Sequence, residues 1–169
     1  MPTTYAAYLA ESLLENGSGN GQVIVLRKKS LTKVEAGVFL IDAYCLGVRD
    51  AFLYEGTEAE VEERVLTNRY PLKEMPASYG RKFVEEAIAY AKQFGFAPHK
   101  DYKKAARVFG GLKAADDLDG FTFGRNGKPC YIPSHNHDEN DVQRITAKLE
   151  RVCGESGFLP EEVDEGFGR

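Results

Sequence analysis

Strands and helices fall in separate runs along this chain. That order predicts an α+β fold: a small antiparallel sheet of two or three N-terminal strands and a later hairpin, packed with four to five helices. Three observations carry the prediction. Residues 22–54 are rich in β-branched and aromatic groups, Tyr79 to Phe94 is amphipathic at helical spacing, and Asn126-Gly127 sits between two aromatic triplets.

Tyr5, Leu9 and Leu13 recur at helical spacing with Ala6 and Ala10 among them, so the pattern predicts an N-terminal helix within residues 1–15, opened by Thr3 or Thr4. Asn16-Gly17-Ser18-Gly19-Asn20-Gly21 then reads as a flexible linker over residues 16–21. It has no Lys-Ser/Thr ending and precedes its strand, whereas a phosphate-cradling loop follows one.

Val23-Ile24-Val25-Leu26 is an unbroken apolar run, as expected of a strand covered on both faces. After a polar turn at Ser30 to Lys33, residues 34–45 resume extended character and predict an antiparallel partner. Val48 to Tyr54 predicts a third strand or a short bend. Asp42 interrupts the second run, and an unpaired buried carboxylate costs several kcal/mol; it should face solvent, meet a base such as Arg49, or serve a site. Cys45 reads as a small buried hydrophobe.

Thr57 followed by Glu60 has the form of a capping box, with Val61, Val65 and Leu66 as the inner face of the helix it opens. That helix is expected to end near Tyr70-Pro71, and Lys73 to Ser78, with Pro71 and Pro76, reads as a connection. In the next helix Phe83, Val84, Ala87, Ile88, Ala91 and Phe94 share one face, and Gly95 is the expected stop. Asp101 is expected to cap a shorter helix with Tyr102, Ala105, Val108 and Phe109 inward. Phe121-Thr122-Phe123 and Cys130-Tyr131-Ile132 predict a hairpin around Asn126-Gly127. Asp138 or Asn140 opens a last helix, with Val142, Ile145, Leu149 and Val152 inward and Gly154 after it.

Residues 1–154 are read as one domain and residues 155–169 as a disordered acidic tail. The tail holds five of the 26 acids and one of the 22 bases, which leaves 21 of each in the body. A neutral body gives no global electrostatic case for nucleic acid or membrane, so such binding must rest on a local patch. Cys45, Cys130 and Cys153 are odd in number and widely spaced, as in reduced thiols. No stretch has the composition of a membrane span or a secretion signal, so a cytoplasmic address is expected, with no membrane partner.

Two regions point to chemistry. His99 and Asp101 lie before one helix, and Ser134-His135-Asn136-His137-Asp138 before another. Imidazoles and carboxylates of this kind can hold a divalent metal with open positions, with His99, His135 and His137 as ligands and Asp101 and Asp138 as catalytic carboxylates. The competing reading makes both aspartates N-caps and leaves the histidines in solvated loops. The letters His135-Asn136-His137 match a nuclease motif, but there the first histidine sits on the first strand of a hairpin, and here both follow the second. Lys100, Lys103, Lys104 and Arg107 share a helical face, and Arg27-Lys28-Lys29 with Lys33 form a basic turn. If the two surfaces coincide they make a phosphate-tracking patch, with Tyr102 or Tyr131 available to stack on bases. An ordinary solvated helix face is the alternative.

Three segments, Tyr44-Cys45-Leu46-Gly47-Val48-Arg49-Asp50-Ala51-Phe52, Gly95 to Tyr102, and Phe123 to Ile132, resemble a family of uncharacterised bacterial proteins over roughly residues 23–153. The resemblance implies no activity. It also departs where the family has Ser-Gly-Pro and this chain has Pro133-Ser134-His135-Asn136-His137. The functional expectation is therefore a small binding module for a protein or nucleic-acid partner. The alternative is a metal-assisted hydrolase or nuclease built on the histidines and aspartates.

Overall fold

A computed structural model describes residues 3–14, 18–67, 71–116, 121–125, 127–133 and 137–154. Five strands form one antiparallel sheet: β1 (Thr4–Ala10), β2 (Asn20–Ser30), β3 (Lys33–Asp42), β4 (Gly47–Gly56) and β5 (Leu72–Met75). Their spatial order is β4-β3-β2-β1-β5. Helix α1 (Glu58–Val61) runs on into a π-helical turn at Glu62–Leu66; α2 is Ala77–Lys92; α3 (Tyr102–Ala105) runs on into a 3-10 turn at Ala106–Phe109; α4 is Glu139–Cys153. The class is α+β, as the segregated pattern predicts.

The Val23-Ile24-Val25-Leu26 run is apolar because helices cover both faces of the sheet. Val23 and Val25 join Ala7, Leu9, Phe39, Ile41 and Ala51 beneath Phe83, Val84 and Ala87 of α2 and Val108 and Phe109. Ile24 points the other way, with Val34, Ala36 and Val38 against Val61 and Val65. A third cluster packs Ile145 and Leu149 of α4 on Ala91, Phe94, Phe96, Cys45 and Tyr131. The capping box at Thr57 is present, with Glu60 N–H donating to Thr57 Oγ1 at 3.1 Å and Thr57 N–H to Glu60 Oε1 at 2.9 Å.

Several expectations are corrected. Residues 4–10 form a central strand, with Ala7 facing Val25 on one side and Met75 on the other. The alanines that suggest a helix are small because other chain segments approach closely. A Cβ on Gly80 of α2 would sit 2.7 Å from the Ala7 Cβ, and one on Gly21 would sit 2.6 Å from the Ala10 Cβ. Asn20 and Gly21 belong to β2, and Gly19, at φ +83°, accepts from Ala43 N–H at 2.7 Å; this part of the expected linker is ordered sheet structure.

Residues 72–75 are a short edge strand, a position where flanking prolines cost no ladder bonds. The expected hairpin reduces, among the described residues, to one bridge between Arg125 and Lys128. Its flanks bond elsewhere: Gly124 N–H donates to Ala43 O (2.9 Å) and Cys130 N–H to Tyr44 O (3.1 Å), while Phe121 and Phe123 pack on Phe83. Core burial of the aromatics wins over strand pairing. Residues 155–169 lie outside the described residues. Among the described residues no helix is long and apolar enough to cross a membrane.

Candidate functional site

His99 is fixed at the junction of β4 and α3. Its backbone N–H donates to Val48 O at 2.9 Å, and its carbonyl accepts from Tyr102 N–H at 2.9 Å. Its ring caps the short helix, Nδ1 accepting from Asp101 N–H at 3.0 Å, while the Asp101 side chain makes no capping bond. The cap expected of Asp101 is thus supplied two residues earlier by an imidazole.

Because Nδ1 accepts, the neutral ring carries its proton on Nε2. Nε2 lies 3.8 Å from Asp50 Oδ1, and Nδ1 lies 3.8 Å from Asp101 Oδ2. One ligand-type atom from each of Asp50, His99 and Asp101 falls within 4.8 Å of the others. The side chains of Asp50 and Asp101 are 57% and 51% exposed and that of His99 is 30% exposed, so the group opens to solvent.

Asp50 is the member that sequence reasoning missed. It lies far from His99 along the chain, and only the bonding of His99 to the first residues of β4 brings them together, so no local spacing announces the pair.

The second histidine region is built differently. His137 Nδ1 lies 2.7 Å from the hydroxyl of Tyr131, a residue only 3% exposed. Burial, helped by the positive charge of Arg49, holds this imidazole below its ordinary pKa. Asp138 caps α4: its Oδ1 accepts from Asp141 N–H at 2.8 Å, and its own N–H donates to Asp141 Oδ2 at 3.2 Å. Its carboxylate therefore works at the helix start. The structure brings His99 and Asp101 together but joins neither His137 nor Asp138 to them among the described residues. His135 lies outside the described residues.

The two basic surfaces meet at Arg27. Arg27 Nη1 donates to the Arg107 carbonyl at 3.3 Å, joining the end of β2 to the turn that follows α3. Lys100, Lys103, Lys104 and Arg107 are exposed, and none forms an ion pair among the described residues. The β2 cations differ: Lys28 pairs with Glu58 at 3.3 Å, and Arg27 and Lys29 share Glu35 at 3.7 and 3.3 Å. The two tyrosines are not free to stack on bases. Tyr102 packs on Phe39 with ring centroids 5.9 Å apart, and Tyr131 is buried.

Asp42, 6% exposed, sits inside the turn between β3 and β4. Its Oδ1 accepts from Tyr44 N–H at 2.9 Å, and the Cys45 and Leu46 amides also bond to it. Burial pushes its carboxyl up to about 6, against the pull of those amides and of Arg49. Burial, with Asp42 and Cys130 nearby, also pushes the Cys45 thiol up, which leaves it protonated and inert. The Asp42 group is a turn clamp held by backbone amides, with Arg49 acting on it through its charge.

Comparison with known proteins finds no matching family model, no matching curated protein and no matching solved structure.

Proposed function

We propose that this protein is a binding module for the phosphate backbone of nucleic acid, with the exposed side of α3 and its following turn as the contact surface. The observation that carries the reading is a helix face whose cations, Lys100, Lys103, Lys104 and Arg107, are exposed and form no ion pair among the described residues, with Arg27 of β2 reaching the Arg107 carbonyl at 3.3 Å beside it. From Lys100 to Lys113 the chain holds five cations and one acid, Asp101, a local excess that a neutral body conceals.

Exposed lysines and an arginine at helical spacing can neutralise successive phosphates and release their counterions. With Tyr102 and Tyr131 packed inward, contact runs through phosphates, and binding should tolerate sequence. A cytoplasmic address and kinship with the bacterial family suggested by the three sequence segments belong to the same reading.

Retention on immobilised nucleic acid at low salt, lost when salt is raised and lost in the K103E/K104E double variant, is the expected result. Both lysines are exposed, so the variant should fold. Retention that survives the reversal refutes the surface; no retention at low salt refutes the function and favours a protein partner.

The metal-assisted hydrolase receives less support, because its full ligand set does not assemble among the described residues.

A further inference from the structure

We infer that Asp50, His99 and Asp101 form a site for one borderline divalent ion of the zinc, cobalt and nickel class. This inference is independent of the nucleic-acid surface. An ion bonded at about 2.0–2.2 Å to each ligand needs ligand atoms no more than roughly 4.4 Å apart, twice the bond length. The three groups already offer atoms within 4.8 Å of one another; Asp50 Oδ1 is held by Ala51 N–H at 2.8 Å, and the remaining few tenths are within reach of the exposed Asp101 side chain.

The histidine does not need to move. Its backbone is held on both sides, by Val48 O and by Tyr102 N–H, so the imidazole is presented from a fixed point between an edge strand and a helix. One imidazole with two carboxylates suits zinc, cobalt or nickel. Calcium needs six to eight oxygens, and magnesium keeps most of its waters and gains little from an imidazole.

Metal binding has a structural cost that makes it recognisable. The Nδ1 lone pair of His99 caps Asp101 N–H. An ion at Nδ1 displaces that bond directly. An ion at Nε2, beside Asp50, requires the proton to move to Nδ1, which can then no longer accept from Asp101 N–H. Either way Asp101 N–H loses its partner, so occupancy should be read at the amide of residue 101 as well as at the ring.

The test is titration of untagged, full-length protein with cobalt chloride, followed by calorimetry and by NMR of the imidazole and backbone amide resonances. The expected result is one ion per chain, shifts at His99 and at the Asp101 amide, and no competition from magnesium or calcium. Asp50→Asn keeps the side chain's shape and should weaken binding about tenfold or more. His137→Ala, with the fold shown intact by its amide spectrum, should bind as the parent does.

Binding unchanged in Asp50→Asn overturns the ligand set, as does binding lost in folded His137→Ala. Absence of binding by cobalt, zinc and nickel overturns the site. Nucleic-acid retention is measured in the same samples; loss of one property with the other intact separates the two proposals.

Discussion

Asp42 makes a quantitative prediction about stability and pH. Its carboxyl titrates at about 6 in the folded protein against an ordinary value of 3.8, so between these limits the folded state holds a proton that the unfolded state has released. Stability rises with pH where the unfolded state binds more protons, and here the folded state binds more. The contribution of Asp42 is therefore fully present below about pH 4 and is lost as pH rises through about 6. A shift of about two units at 1.36 kcal/mol each gives about 3 kcal/mol.

Asp141, which the Asp138 amide and Arg144 hold below its ordinary value, titrates below this range. The comparison with Asp42→Asn isolates the residue in question. Asparagine does not titrate, and the acceptor it loses toward the amides of residues 44–46 is a constant offset at every pH. Urea unfolding of both proteins from about pH 4 to about pH 7 should show the parent losing about 2 kcal/mol relative to the variant, the part of the shift that falls within this range. A difference that stays level, or that grows in the parent's favour as pH rises, refutes the claim that burial outweighs the three amides and Arg49.

Two further predictions concern packing and capping. Gly80→Ala places a Cβ 2.7 Å from the Ala7 Cβ and 3.4 Å from Val25 Cγ2; overpacking of about 1–3 kcal/mol should exceed the roughly 1 kcal/mol helix-propensity gain, and the urea midpoint should fall. A raised midpoint would contradict the close approach of α2 to β1. Asp138→Ala should cost about 1 kcal/mol through loss of the α4 cap and leave nucleic-acid retention unchanged; altered retention with the fold intact would place Asp138 at the binding surface and contradict its role as a cap alone.

Much of the fold is legible where burial and periodicity agree. The Val23 to Leu26 run announces a strand covered twice, and α2 and α4 each show one apolar face and a glycine stop at Gly95 and Gly154, except that Val152, expected inward on α4, is 52% exposed. The first strand is not legible, because Tyr5, Ala6, Leu9 and Ala10 satisfy a helical period and nothing local reports that β2 and β5 flank the segment. The segment around Asn126-Gly127 fails for a related reason: its aromatics have better partners in Phe83 and Tyr90 than in each other.

The candidate sites divide the same way. The basic helix face is a local pattern and can be read directly, but its junction with Arg27 is a tertiary fact. His99 and Asp101 are two residues apart and were found together, whereas Asp50 enters only through the sheet. Asp138 shows that one sequence signal, a carboxylate before a helix, serves capping and catalysis equally well until its hydrogen bonds are known.

The account rests most on the phosphate-contacting surface, and the salt dependence of nucleic-acid affinity tests it most directly. Contact through Lys100, Lys103, Lys104 and Arg107 predicts a slope of log K against log salt of about −3.6 on duplex DNA, a loss of roughly 100-fold between about 50 and about 200 mM. The neutral double variant K103Q/K104Q should halve the slope to about −1.8, a loss of roughly tenfold over the same range. A slope unchanged by the double substitution would place any binding on some other face and contradict the proposed function.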